Sequence, residues 1–243
     1  MKTTVFNLII LDESGSMSGL EKRTILGCNE VIQVARNGAL DNNGELRSLV
    51  SVYAFSSGCH RSRYILKNED ATKVREIVAG DYRPNGGTPL LDAVGSTLSE
   101  LKTVSATHED ATGIITIITD GMENSSTHYR LDDVRRLISY FKEQGWTVNL
   151  IGSEIDVDAI ADTVGIENRM NFSHDEKGTR EMFATYKSSM NMRYQEYAEE
   201  VACPDASERR QMRLTRRNRF FGKYACIFHR ASFIPYPGMG NDK

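Results

Sequence analysis

Cysteine is scarce in this chain: four in 243 residues, at positions 28, 59, 203 and 226, in no framework spacing. A chain of this length holds a core without disulfides, so scattered thiols read as reduced ones. Cys203 and the Cys226-x-x-His229 pair lack a clear fourth ligand and a second C-x-x-C, and fall short of a zinc set. Long apolar runs are also missing. Val5 to Leu11 is too short to cross a bilayer, follows a single Lys2 and runs straight into Asp12 and Glu13. No A-x-A-like cleavage site accompanies it, so neither a membrane span nor a secretion signal is expected, and the chain reads as cytoplasmic.

Net charge is close to absent at -3, but it is unevenly spread. Residues 1–184 hold 19 Lys and Arg against 27 Asp and Glu, whereas residues 185–243 hold 11 against 6. The body is acidic and the tail basic. With 40% apolar and 26% charged residues, the composition is that of a soluble globular protein, one domain with an appendage. We place the boundary between a domain over 1–201 and a basic, aromatic-rich extension over 202–243.

Hydrophobic periodicity supplies the elements. Val5–Leu11 and Ala111–Thr119 are nearly continuous apolar runs, as in buried parallel strands. Leu46–Phe55 is rich in β-formers, and Arg63–Leu66 returns after a short connection as an antiparallel strand. Strands are also expected at Thr147–Ile151 and Met170–Phe172. Helical spacing marks Ile25, Cys28, Ile32, Ala35 and Ala39, ended by Asn42-Asn43-Gly44, and later Leu91, Val94, Leu98 and Leu101. Helices are expected at Asp70–Val78, from Pro89 with Thr88 as its cap, and at Leu131–Gln144, Val157–Thr163 and Thr179–Val201. Alternating strands and helices of this length predict a Rossmann-like three-layer α/β sandwich, its sheet mainly parallel with one antiparallel edge strand. Ligands of such folds sit beyond the carboxyl ends of the strands, where Asp12 and Asp120 fall.

The stretch Leu8–Gly19, LIILDESGSMSG, allows two chemistries. Gly15-Ser-Met-Ser-Gly19 matches the G-x-S-x-G of a hydrolase nucleophile elbow. However, Ser16 follows the first strand, so no earlier loop supplies an oxyanion donor, and none of the five histidines lies in a triad context. Asp12-x-Ser14-x-Ser16 instead offers one carboxylate and two hydroxyls on alternate residues, a cradle for a hard cation. Thr88, in the Gly-Gly-Thr-Pro loop, adds a hydroxyl, and Asp120, closing a buried strand, adds a carboxylate. Mg²⁺ prefers six oxygens and keeps some of its waters, which suits a few neutral hydroxyls and one or two carboxylates. Taken singly, each residue also has a structural reading, as a loop, cap or turn residue.

Together these residues closely resemble the metal-ion-dependent adhesion site of von Willebrand factor type A domains. Asp12-x-Ser14-x-Ser16, Thr88 in GGTPLLDA and Asp120 in IITDG match in order, and YAFSS at 53–57 is similar to the family's second-strand end. The resemblance covers roughly residues 3–175 and is nearest to bacterial stand-alone cytoplasmic members. It implies Mg²⁺ or Mn²⁺ held by Asp12, Ser14, Ser16, Thr88 and Asp120, with a partner protein's Asp or Glu completing the coordination. Binding rather than catalysis is then expected, because no general base is marked beside the ion. The alternative is a Mg-dependent hydrolase or phosphatase, for which Glu13 and Asp92 are the nearby carboxylates. Glu13 alternates away from the ligand face, and Asp92 is placed to bond a loop amide.

Residues 207–230 hold eight Lys and Arg against one Glu, interleaved with Phe220, Phe221, Tyr224 and Phe228. Such a mixture either grips nucleic acid or docks on the acidic body. In the preceding helix, Met182, Phe183, Tyr186, Met190 and Tyr194 form a soft stripe that either packs as core or slides when the metal site changes state.

Overall fold

The computed structural model describes residues 2–41, 46–58, 62–152, 157–171, 176–205 and 207–216. Its strands are β1 (Thr3–Asp12), β2 (Leu46–Phe55), β3 (Arg63–Asp70), β4 (Ala111–Thr119), β5 (Thr147–Gly152) and β6 (Asn168–Asn171). They form one sheet in the order β3-β2-β1-β4-β5-β6, parallel throughout except for the β2–β3 pair at one edge. Helices are α1 (Glu21–Asp41), α2 (Leu90–Ser105), α3 (Leu131–Glu143), α4 (Val157–Val164), α5 (Glu176–Val201) and α6 (207–216). The architecture is the expected three-layer sandwich.

Strand β1 lies at the centre, and all ten of its residues are buried, which is why its sequence does not alternate. Val5, Ile9 and Leu11 enter one core with α1 and α5, and Phe6, Leu8 and Ile10 enter the other with α2, α3 and α4. Each such side chain contributes roughly 1.5–3 kcal/mol relative to exposure. From β1 the chain crosses through α1 to β2 on one side, and through α2 it reaches β4 on the other. The carboxyl ends of β1 and β4 therefore flank the point where the winding reverses, the usual crevice for a ligand.

Two local expectations are corrected. Asp70–Val78 is a single turn followed by irregular chain, not a helix. The Asp70 side chain accepts from Thr72, and α1 satisfies the backbone beyond: the Asn29 amide pairs with both N–H and C=O of Ile77, and Arg36 donates to the carbonyls of Ala71 and Val74. Partners from α1 replace helical hydrogen bonds, so Val74 and Ile77 bury without a helix. Nor does Thr88 cap the next helix. The cap position is Pro89, with no side-chain cap bond, and α2 begins at Leu90. The Asn42–Gly44 break, Phe172, Cys226, His229 and the aromatic run beyond 216 lie outside the described residues.

The stripe on α5 is core, and it carries polar anchors. Met182, Phe183, Tyr186, Met190 and Tyr194 are buried. Rings of Phe183 and Tyr194 occupy the spaces a Cβ would need at Gly27 and Gly38 of α1, with the same eleven-residue step on both helices. Tyr186 Oη pairs with Thr116 at 3.1 Å, Tyr194 Oη donates to Asn7 Oδ1 at 2.9 Å, and Tyr197 Oη donates to the Gly113 carbonyl at 3.1 Å. A shift of α5 along its axis would unpair all three inside a dry core, each at about 1–3 kcal/mol. The structure holds α5 in one register.

Helix α6 docks on the body at the amino-terminal edge of the sheet. Arg213 bonds Glu200 of α5 at 2.9 Å and Asp110, just before β4, at 2.8 Å. Arg209 donates to the Cys203 carbonyl, and Arg216 pairs with Glu199 at 2.8 Å. Arg193, 1% exposed, joins the network through Glu196, Glu200 and the Gly145 carbonyl. Three arginines of the basic segment thus face the protein itself.

Candidate metal centre

Asp12, the last residue of β1, is fully buried. Its Oδ1 accepts the Ser14 N–H at 2.7 Å, and its Oδ2 accepts the Thr119 hydroxyl at 2.6 Å. Burial outweighs these bonds, and with the nearby Asp120 charge it pushes the Asp12 carboxyl up to about 6. The chain then makes a short 3₁₀ turn, Gly15–Met17, with Met17 buried beneath it. That turn brings Ser14 Oγ and Ser16 Oγ to 3.0 Å from each other, and Ser16 Oγ donates to Asp120 Oδ1 at 2.8 Å.

Thr88 arrives from the third loop. A Cβ built at Gly121 would sit 3.3 Å from both Ser16 Oγ and Thr88 Oγ1, so the two hydroxyls face one space beside Gly121. Any side chain at 121 would enter that space. Thr88 is held by its backbone: its N–H donates to Asn124 Oδ1 at 2.7 Å, and its carbonyl accepts the Asn124 N–H at 3.2 Å. Because Thr88 is released from helix capping, its hydroxyl is left for the site. The structure therefore brings Asp12, Ser14, Ser16, Thr88 and Asp120 to one edge of the sheet.

The donor set fits a hard divalent cation. Two carboxylates meet three hydroxyls, and among the described residues no lysine or arginine forms an ion pair with either carboxylate. Among the described residues no cluster of three His, Cys, Asp or Glu side chains is present, so any cation here would lean on hydroxyl oxygens, as magnesium-type sites do.

Glu13 and Asp92 are occupied elsewhere. Glu13 is fully buried, and its carboxylate accepts both Arg63 guanidinium nitrogens and the Arg83 N–H. Asp92 accepts the N–H groups of Thr127, His128 and Tyr129 at 2.7–2.8 Å. Although partial burial works against it, these bonds bring its carboxyl down to about 2. His128 pairs with Asp92, and His108 contacts the Val104 carbonyl.

Sequence reasoning missed the residues that position the site: Thr119, Tyr82, Ser57, Glu123 and Asn124. Tyr82 Oη donates to the Asp12 carbonyl at 2.6 Å, and Ser57 Oγ accepts the Gly87 N–H at 2.8 Å. Glu123 gathers the N–H groups of Leu91, Ser125 and Ser126. Only Ser57, in YAFSS, carried a local signal.

The fold and this edge define a Rossmann-like sandwich with a hydroxyl-and-carboxylate site above its central strands. The family model of the von Willebrand factor type A domain matches residues 8–189, and the chain belongs to that family. Comparison with curated proteins finds no match. Among solved structures, the chain is similar to the pilus adhesin SpaC of Lactobacillus rhamnosus GG in its open conformation. The TM-score is 0.58 at 14% identity, covering 80% of this chain and 30% of the adhesin. It is also similar to the mussel byssus proximal thread matrix protein 1, with TM-score 0.51, 13% identity, 83% of this chain and 48% of that one. For the PilB minor pilin of Streptococcus sanguinis the values are 0.50, 11%, 79% and 62%. The likeness is one of fold, and the chain spans less than two thirds of each of these proteins.

Proposed function

We propose that Asp12, Ser14, Ser16, Thr88 and Asp120 hold one Mg²⁺ or Mn²⁺ ion, and that the ion binds an Asp or Glu side chain of a partner protein. The observation that carries this reading is the pair of adjacent carboxylates, Asp12 buried and Asp120 on Ser16, with no ion pair to a cationic side chain among the described residues and three hydroxyls beside them. Two carboxylates roughly neutralise a divalent ion, and the hydroxyls add no charge, so the ion keeps its affinity for another hard anionic oxygen. Bound there, the ion supplies an electrophilic docking point. The surrounding loops choose the partner.

The reading is one of binding, not catalysis. Glu13 and Asp92, the two carboxylates that could serve a hydrolase or phosphatase, are saturated by guanidinium or amide donors. Nucleic-acid binding by the tail is disfavoured for α6, whose Arg209, Arg213 and Arg216 are engaged by Asp110, Glu200 and Glu199. We take the family domain to end near Val201 and residues 202–243 to be an extension clasped through α6. We read the protein as cytoplasmic, a reading with which the free thiols of Cys28 and Cys203 are compatible.

Titration calorimetry with Mg²⁺ and Mn²⁺ tests the proposal. The wild-type chain is expected to bind one equivalent, and Asp12→Ala is expected to abolish binding while leaving the circular dichroism spectrum unchanged. Equal binding by both proteins would sink the reading. A pull-down with the same pair then identifies metal-dependent partners.

A further inference from the structure

Glu13, which stands between two of the proposed ligands and ligates nothing, makes more inter-loop bonds than any of them. Its N–H donates to the Phe55 carbonyl at 2.8 Å, and its carbonyl accepts the Asn85 N–H at 2.9 Å. Its carboxylate accepts Arg83 N–H at 2.6 Å and both Arg63 guanidinium nitrogens, one at 3.1 Å. Arg63, at the start of β3, also donates to the Asp81 carbonyl at 2.8 Å. Beyond Glu13, the Gly15 N–H donates to the Gly86 carbonyl at 2.8 Å. Segments 12–15 and 82–86 therefore run side by side as a zipper, Tyr82 on Asp12, Arg83 and Asn85 on Glu13, and Gly86 on Gly15. Two residues after the last rung comes Thr88.

We propose that the Glu13–Arg63 ion pair, buried at its carboxylate and half-buried at its guanidinium, is a positioning device that sets the Thr88 hydroxyl in the metal site, and so tunes metal affinity without touching the ion. This rests on the metal reading above. The physical reason is one of order. Segment 82–88 has no regular secondary structure, so its place depends on its polar bonds: to segment 12–15 over residues 82–86, to Ser57 at Gly87, and to Asn124 at Thr88 itself. The Glu13–Arg63 pair joins two of the groups that grip this stretch, because Arg63 donates to the Asp81 carbonyl and Glu13 accepts the Arg83 N–H; a charged, bidentate pair fixes direction as well as distance. Groups behind the ligands of metal sites commonly change affinity 10–100-fold when removed.

Two effects would be confused by one variant, and their signs separate them. Glu13→Gln removes a negative charge near the ion, whereas Arg63→Gln removes a positive one. Through the electrostatic field alone, the first would weaken Mn²⁺ binding and the second would strengthen it. Positioning predicts that both weaken it, by about tenfold. In a Thr88→Ala background, positioning further predicts that neither substitution weakens binding any more, because the side chain they position is gone. Amide exchange of the metal-free protein gives a second readout: Asn85 and Gly15 should exchange faster in both variants, while the strands β1 and β4 keep their protection. If Arg63→Gln fails to fold, Arg63→Lys, which keeps the charge and loses the fork, is read in the same cycle and must also weaken binding.

Opposite shifts in the two variants, or losses that multiply with Thr88→Ala, would overturn the positioning role and leave the metal site standing. Wild-type affinity in both variants would do the same. Absence of Mn²⁺ binding in the wild-type chain, or binding that Asp12→Ala leaves intact, would overturn the metal reading and this inference with it.

Discussion

Two fully buried carboxylates at opposite ends of the central sheet, Glu200 and Asp12, are treated in opposite ways. At the amino-terminal edge, buried Glu200 and half-buried Asp110 are met by Arg193, Arg209 and Arg213, so each carboxylate has a guanidinium partner. At the carboxyl-terminal edge Arg63 serves Glu13, while Asp12, as buried as Glu200, is met among the described residues by hydroxyl and amide donors and by no guanidinium. The titration directions follow in part. Burial works to raise Asp110, but Arg213 and Arg209 hold it below the ordinary carboxylate range, whereas at the more deeply buried Glu200 burial outweighs Arg193 and Arg213 and the carboxyl stays raised. Burial raises Asp12 to about 6, with no ion pair to a cationic side chain among the described residues to oppose it. A closed network of charges stabilises a fold. On the metal reading proposed above, an open one is an incomplete coordination sphere.

Removing one carboxylate from each end breaks this comparison most sharply. Glu200→Ala leaves Arg193 and Arg213 buried without their shared partner and is expected to cost about 3–5 kcal/mol in urea unfolding. Metal affinity should not change. Asp12→Asn, measured in chelator at pH 7, keeps the shape, removes an unbalanced charge and should raise stability, on the order of 1–2 kcal/mol. If Asp12→Asn destabilised the metal-free chain as Glu200→Ala does, Asp12 would have a compensating partner and the contrast between the ends would fail.

Acid should act on Asp110 and on Asp12 with opposite sign. Asp110 has a depressed folded value, so its contribution is present above the ordinary carboxylate range and is lost as pH falls below it. Asp12 has a raised one: without metal, its contribution is present below the unfolded value of 3.8 and is lost as pH rises through about 6. That term is on the order of 3 kcal/mol. Mg²⁺ should therefore raise the melting temperature most above pH 6, while exchange at the α6 amides should accelerate below pH 4. A Mg²⁺ effect that stays constant from pH 4 to 8 would count against an unbalanced Asp12.

How far each end was legible in the sequence depended on whether its signal was local. The burial of β1 and β4, and the oxygen-bearing residues at their ends, are written in contiguous runs that periodicity reads directly. The support of the site is not. Glu13, Arg63 and Tyr82 come from three segments, none unusual in its own neighbourhood, and only folding shows that they share bonds. The same limit explains the misread helix at Asp70–Val78, where Asn29 and Arg36 of α1 supply hydrogen bonds that local propensity cannot foresee. The basic segment reads as one that grips nucleic acid or docks on the acidic body, and sequence does not say which carboxylates receive it: Arg213 is 5% exposed because Asp110 and Glu200, from elsewhere in the chain, meet it. Composition reports charge without reporting what meets it.

The smallest expected effect tests whether the two ends are independent. Tyr194 Oη sits between Asn7 Oδ1 at 2.9 Å and Ser48 Oγ at 3.0 Å, midway along the sheet, where α5 crosses it. Tyr194→Phe keeps the ring against Gly38 and removes only the hydroxyl, leaving Asn7 Oδ1 buried without that donor. A loss of about 1–2 kcal/mol is expected in unfolding, and none in Mn²⁺ affinity, because Tyr186 and Tyr197 still fix the register of α5. The opposite result, a metal affinity altered more than a few-fold by one hydroxyl on the far side of the core, would mean that α5 transmits strain to the Asp12 loop. The clasp at the amino-terminal edge would then bear on the metal as well as on stability, and the two ends would have to be treated as one device.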